Sequence, residues 1–365
     1  MKVAFDHQIF AQQRYGGVSR YFFELARRLP SEIVSDVSII APLHINNYLA
    51  ADSAHPAVRG RYVPYRSGSA ARAVDLVNRF AVPLAWRGVN PDIVHETYFA
   101  TKPVGRGRHR VVTVYDMIHE LFPDEFPDGE RVAAAKRAAV GRADHVVCIS
   151  ETTRRDLVRI LGIDAARTSV VHLGYSMTNE TDLTEPSSGP RRPTLLYVGN
   201  RRGYKNFGVV LQAYANSVVL RDFELIVFGG HPVLPEEQQE IARLGIAGRV
   251  RFESGSDREL AARYRHAAAF LYPSKYEGFG IPPLEAMSHG CPVVCSNAGS
   301  IPEVVGDAGL FFEPDDAEQL RATLERVATS DGLQADLRAR GYARLNAFSW
   351  EKCATATAEI YRELS

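Results

Sequence analysis

Apolar residues along the chain fall into short runs separated by stretches with helical spacing. Lys2–Asp6, Asp36–Pro42, Asp92–Glu96, Arg110–Asp116 and His145–Ser150 read as buried strands, with Val170–Tyr175 as the last of a first set. Between them Val18, Tyr21, Phe22, Leu25 and Leu29 recur on one helical face, Arg131–Arg142 reads as a basic, alanine-rich helix, and Ser150 is placed to cap another. The pattern breaks over Met177–Pro193, which is polar and rich in Pro and Ser. It then restarts with Thr194–Gly199 and a helix carrying Phe207, Val210, Leu211, Tyr214 and Val218. Strands follow at Glu224–Gly230, Val250–Ser254, Ala267–Tyr272 and Gly309–Pro314. Continuous apolar strands alternating with amphipathic helices predict parallel sheets covered on both faces. The expected class is therefore α/β with two doubly wound domains: residues 1–178, a linker over 179–193, and residues 194–348. A closing helix over 349–365 has Trp350, Cys353, Ile360, Tyr361 and Leu364 roughly in register.

Composition narrows this picture. The 365 residues suffice for about two domains. Forty-three basic and 43 acidic side chains cancel, so no global field points to nucleic acid. The cysteines, Cys148, Cys291, Cys295 and Cys353, form no C-x-x-C pair, and buried free thiols in a reducing compartment explain them. Met1–Asp6 is a short strand without a leader-like apolar core, and no apolar run approaches the ~20 residues of a membrane span. The expectation is a cytoplasmic protein, with the inner face of the plasma membrane as one place where it could rest. Charge is uneven locally. From Pro56 to Arg87, six arginines (Arg59, Arg61, Arg66, Arg72, Arg79, Arg87) stand against the single acid Asp75, interleaved with Val74, Leu76, Val77, Phe80, Val82, Leu84 and Trp86. This is either a solvated helical face or a surface that rests on anionic lipid.

The chemistry concentrates in Glu277-Gly-Phe-Gly-Ile-Pro-Pro-Leu-Glu285, which follows the apolar run Ala267–Tyr272 and precedes a short helix closed by Gly290. Gly278 and Gly280 permit close approach of the backbone to a ligand. Pro282 and Pro283 suit a first helical turn, where a missing N–H costs little. The amides of Gly278, Phe279, Gly280, Ile281 and Leu284 could then hold a diphosphate at a helix start. Carboxylates repel phosphate, so Glu277 and Glu285 are better matched to hydroxyls, which a sugar nucleotide offers at both ends. A capped, glycine-rich turn with a solvated glutamate remains the bland alternative.

Two further loops suit an anion. Gly16-Gly17 lies between the first strand and its helix. Asn200-Arg201-Arg202-Gly-Tyr-Lys205 follows the first strand of the second half. Neither has the G-x-G-x-x-G fingerprint, and each could be an ordinary turn. His95, Asp116 and His119 follow strand ends, where parallel sheets place ligands, although such residues also serve as caps.

The string from Pro273 to Glu303 resembles the signature of the family 4 retaining glycosyltransferases, with Glu277 and Glu285 matching its two glutamates seven residues apart. The resemblance implies the GT-B fold, two facing Rossmann-like domains, with the last helix packing back on the first domain. It implies that Glu277 meets the donor sugar's hydroxyls, Glu285 the ribose, and the loop amides the diphosphate. Gly16 and Gly17 match a pair beside the donor phosphates, and Lys205 matches a phosphate-binding lysine. Asn200 occupies the family's arginine position, so Arg201 or Arg202 would have to replace it. Asp116 matches the aspartate of a His-Asp strand end, where Tyr115 replaces the histidine and His119 is the candidate substitute. The expected catalytic set is Glu277, Lys205, Asp116 and His119.

The implied activity is transfer of a hexose, with a lean to mannose from GDP-mannose, to a glycan or lipid-linked acceptor. No Asp-x-Asp pair stands at a strand end, so neither metal nor other cofactor is expected. A peripheral contact with anionic membrane is a further expected partner. The competing readings are a nucleotide-sugar epimerase on the same scaffold and a non-catalytic sugar-nucleotide-binding scaffold.

Overall fold

The computed structural model describes residues 1–51, 58–64, 68–175 and 193–365. The linker residues 176–192 and Arg66 of the basic stretch lie outside the described residues, as does the side chain of Arg72. The described chain divides into two compact units. One comprises Met1–Gly174 with Ser349–Ser365, and the other Tyr175–Phe348.

The first unit contains strands β1 (Lys2–Phe5), β2 (Asp36–His44), β3 (Val58–Tyr62), β4 (Ile93–Glu96), β5 (His109–Val114), β6 (His145–Cys148) and β7 (Thr168–Val170). They form one parallel sheet in the order β3-β2-β1-β4-β5-β6-β7. The second contains β8 (Thr194–Val198), β9 (Glu224–Phe228), β10 (Val250–Glu253), β11 (Ala267–Tyr272), β12 (Val293–Ser296) and β13 (Gly309–Phe312). Their order is β10-β9-β8-β11-β12-β13, again all parallel. Both orders are the doubly wound 3-2-1-4-5-6 order, with β7 added to the first. Each sheet reverses direction next to its first strand, between β1 and β4 and between β8 and β11. Ligands of open α/β sheets bind outside the strand ends at such a reversal.

Burial explains why these runs are strands. β4 and β12 are buried along their whole length, as sheets covered on both faces require. In the second unit Leu195, Tyr197, Val227, Leu271 and Val294 pack with Phe207, Val210, Leu211 and Tyr214 of the covering Phe207–Asn216 helix. β7 spans Thr168–Val170, earlier and shorter than the Val170–Tyr175 strand that hydrophobicity suggested: the Val171 amide still donates to Cys148 O, and the chain leaves the sheet after it. Strands β3 and β12 and the helices Pro235–Arg243, Asp257–His266, Ala317–Ala328 and Asp331–Leu345 have no counterpart in the sequence reading.

The closing helix, Trp350–Leu364, packs on the Gly17–Arg28 helix. Ser349 caps it by accepting from the Lys352 amide, and Arg28 Nε donates to Glu351 over 2.8 Å. The Trp350 backbone and ring lie so close to Gly174 that any Cβ there would overlap them.

Candidate active site

The second unit assembles its site from the two loops that leave β8 and β11. Gly199 (φ +108°) turns the chain out of β8, a short 3-10 turn covers Gly203–Lys205, and Asn206 sits in the left-handed region (φ +56°) before the next helix. The Asn206 side chain donates to the carbonyls of Pro273 and Pro314, and the Lys275 amide donates to Tyr204 O over 2.7 Å. These ties bring Lys205 Nζ to 2.6 Å from Glu277 Oε1, with side chains 22% and 13% exposed. The ion pair thus spans the sheet reversal and remains reachable by solvent.

Glu277 is held on several sides. The Tyr272 hydroxyl, buried at the end of β11, also hydrogen-bonds its carboxylate, and burial followed by this negative neighbour pushes the phenol well above its ordinary range. Behind the loop, the fully buried Ser300 hydroxyl lies 2.8 Å from both Glu277 O and Phe279 O, and the Ser300 amide donates to Glu277 O. Gly299 (φ +58°) presses against this backbone: a Cβ there would lie 2.8 Å from Glu277 N. The Phe279 ring turns inward onto Phe348, so the residue contributes backbone rather than side chain to the loop. Gly280, at φ +112°, caps the helix Ile281–Ser288, which begins with Ile281 and its two prolines. Gly278 and Gly280 are buried, and Glu285 lies one turn into the helix, half-buried.

Arg201 requires a correction. Its Nε pairs with Glu237 Oε1 at 2.8 Å, its Nη atoms donate to Gly229 O and His231 O, and its guanidinium stacks over Phe252. It is a buried strut joining the loops after β8 and β9, rather than a fork open to phosphate. Arg202 is exposed. So is Asn200, whose carbonyl accepts from the Tyr197 hydroxyl. Lys205 is therefore the cation that the fold brings to Glu277.

In the first unit, Gly16 caps the Gly17–Arg28 helix with an extended backbone that any residue can adopt. Gly17 has open space around its Cα. The anion cradle expected here is narrowed, because Gln13 Oε1 already accepts from the Ser19 amide in the first helical turn. Asp116 follows β5, and its carboxylate accepts from the Ile118 amide at 3.2 Å. Its carbonyl accepts from the fully buried Lys136, whose Nζ also lies 2.7 Å from Glu120. His119 packs against Phe126 with tilted rings, and its buried Nδ1 has no partner among the described residues. Burial lowers its pKa, against an opposing pull from Asp116.

His95 is no cleft residue. It is fully buried, bonded to Tyr361 of the closing helix and to Thr113 Oγ1 at 2.8 Å, and burial lowers its pKa to about 3. A polar residue at a strand end served the core here, because the closing helix covers it. Tyr115, in place of the family's histidine, is buried with no partner for its hydroxyl among the described residues.

Sequence reasoning missed Tyr272, Gly299 and Ser300 as site residues. Gly299 and Ser300 lie inside the motif string, but nothing local announces that they back the Glu277 loop from 22 or 23 residues away. Among the described residues no group of three or more His, Cys, Asp or Glu side chains is placed to hold a metal ion. No described helix is long and apolar enough to cross a membrane.

Known proteins share both the sequence pattern and the fold. A model described as Glycosyltransferase Family 4 matches residues 15–178, and one described as Glycosyl transferases group 1 matches residues 179–344. The O-antigen chain mannosyltransferase B of Escherichia coli is 32% identical over 273 residues, covering 70% of this chain and 71% of that protein. The MMP alpha-(1->4)-mannosyltransferase of Mycolicibacterium hassiacum is 34% identical over 225 residues, or 60% of this chain and 54% of its own. Among solved structures, Anabaena Alr3699/HepE in complex with UDP superposes with a TM-score of 0.68 at 19% identity, covering all of both chains. Sucrose-phosphate synthase from Thermosynechococcus elongatus does so with a TM-score of 0.73 at 20% identity, over 100% of this chain and 99% of the other.

Proposed function

The chain belongs to the family 4 glycosyltransferases, with the GT-B fold, and from that premise we propose a retaining transfer of a hexose from a nucleoside diphosphate sugar to a hydroxyl of a glycan or lipid-linked acceptor. That it is a glycosyltransferase follows from the family. The carrying observation for the rest is the solvent-reachable Lys205–Glu277 pair at the reversal between β8 and β11.

Negative charge develops on the leaving diphosphate, and neutralising it is the main task for the protein. Lys205 turns from Glu277 to the phosphates, the amides of residues 278–281 add donors, and Glu277 orients the sugar hydroxyls. Glu285 meets the ribose. These side chains and amides supply the positive charge without a metal ion. Retention proceeds by front-side displacement, the departing phosphate taking the acceptor's proton, with Asp116 and His119 on the acceptor side.

Mannose is the preferred sugar, on the strength of relatives named as mannosyltransferases. GDP-mannose and UDP-glucose are compared by thermal shift, since a ligand of the folded state raises Tm by mass action. The product's anomeric configuration is then read by NMR. A product with the donor's configuration inverted overturns the retaining assignment. Turnover that disappears in EDTA and returns with magnesium or manganese overturns the metal-free one. Epimerised sugar nucleotide formed without acceptor overturns transfer itself. A lipid-linked acceptor would be met at the cytoplasmic face of a membrane.

A further inference from the structure

Among its described side chains, the helix Gly68–Ala85 of the first unit buries a narrow stripe. Val74, Asn78 and Val82 are buried, with Trp86 just beyond the helix, each four residues from the last. Asn78 brackets the backbone of β2, its Nδ2 donating to Leu43 O at 2.9 Å and its Oδ1 accepting from Leu43 N at 3.1 Å. Val82 and Trp86 pack on Ala4, Ile40 and Val94 of the sheet.

The opposite side should be polar, yet Leu76 is 57% exposed, Val77 46%, Phe80 73% and Leu84 55%. At about 100° per residue these four fall within an arc of roughly 100°, a continuous apolar stripe facing away from the sheet. The other large exposed apolar side chains among this unit's described residues are Tyr15 and Tyr62, so the four are a concentration rather than a scatter. Arg79, itself 70% exposed, and Arg87 border the stripe. Arg59 and Arg61 are exposed on β3, the edge strand beside the β2 strand that the helix covers. Asp75 is the single acid between residues 58 and 87, and it is paired to Arg79 at 3.3 Å.

An apolar stripe bordered by cations, without a balancing set of acids, matches a lipid interface with negative headgroups better than a protein partner's mixed surface. We propose that this helix face docks the enzyme on an anionic lipid leaflet. Leu76, Phe80 and Leu84 enter the headgroup boundary to about 5–10 Å, and the arginines meet phosphate at its rim. This goes beyond the transfer reaction and does not depend on which donor or acceptor is used.

The test is flotation of the full chain with vesicles of equal parts phosphatidylglycerol and phosphatidylcholine, against vesicles of phosphatidylcholine alone. The wild type is expected to float with the anionic vesicles, less so in high salt, and to stay in solution with the neutral ones. The triple variant Leu76→Ser, Phe80→Ser, Leu84→Ser should lose more than about tenfold in partitioning, while its melting temperature and its UDP- and GDP-induced thermal shifts match the wild type. If the triple variant does not fold, Arg79→Gln with Arg87→Gln carries the test, with a weaker loss on anionic vesicles only. Equal partitioning of wild type and variants overturns the proposal, as does equal binding to both vesicle types. So does light scattering that shows a dimer which the variants dissolve, because the occupant of the stripe is then a second copy of the chain.

Discussion

The two sheets share one strand order, yet the chemistry at their reversal points is opposite. Between β8 and β11 a lysine and a glutamate face each other with solvent access, backed by Tyr272 and Ser300. Between β1 and β4 the same topological point is plugged. Asp6 is fully buried, accepting from the Gln8 amide at 2.9 Å, the Gln8 side chain at 2.8 Å, and the Thr97 hydroxyl. Gln8 also donates to Tyr98 O, and the Ile9 amide donates to Thr97. Further along that sheet Glu96 is buried between Arg110 and Arg142. Burial raises its pKa against the pull of both arginines. Topology creates the crevice, but a polar group there becomes a binding group only where its partners leave it reachable. Where every hydrogen bond closes internally, the same kind of residue is a strut.

The sharpest way to break this contrast is to delete a group from each reversal point. Glu277→Ala should lower kcat by about 10²–10³-fold with little change in Tm, and Glu277→Gln should lose less, because an amide still hydrogen-bonds. Asp6→Ala should do the reverse. It leaves buried donors unsatisfied and costs about 1–3 kcal/mol of stability, while turnover per folded molecule holds. A kcat loss for Asp6→Ala as large as that for Glu277→Ala, without loss of stability, would erase the distinction.

A smaller effect should come from the backing of the Glu277 loop. Gly299→Ala forces a Cβ onto the Glu277 backbone and strains a left-handed residue, so kcat should fall by roughly tenfold or more. Ser300→Ala should lose less. Nucleotide affinity from thermal shifts would hold in both if the defect is in aligning the sugar rather than in gripping the diphosphate.

His95 gives a pH test confined to the first unit. Its folded pKa, about 3, lies below the usual 6.5, so the unfolded chain binds the proton more readily. Its contribution is therefore fully present above pH 6.5 and is lost as pH falls from there toward about 3. Chemical denaturation followed by tryptophan fluorescence, with Trp86 and Trp350 both in this unit, should show that decline. His95→Gln should flatten it, and an unchanged slope would remove His95 as its source. The smallest effect is expected at Tyr115. Its hydroxyl has no partner among the described residues, so Tyr115→Phe should be neutral or stabilise by about 1 kcal/mol. A fall in turnover would instead give that phenol a ligand.

The chain's own pattern was sufficient for the architecture: apolar strand runs and helical spacing declare parallel sheets because burial on both faces leaves no other economical pattern. Glu277, Glu285 and Lys205 were visible as candidates in consecutive residues, a glycine-rich loop before a proline-started helix and a basic loop after a strand, but their expected roles came from the resemblance to the family signature. Assignments that depend on partners distant in sequence were decided only by tertiary structure. Arg201 reads as a phosphate fork until Glu237 and two carbonyls close around it. His95 reads as a cleft residue until Tyr361, 266 residues away, takes its ring nitrogen. Ser300 reads as nothing until its hydroxyl meets the back of the Glu277 loop. Local sequence specifies the backbone conformation and the chemical groups a residue carries. Whether such a group faces solvent or closes on a neighbour depends on which distant segments the fold packs against it.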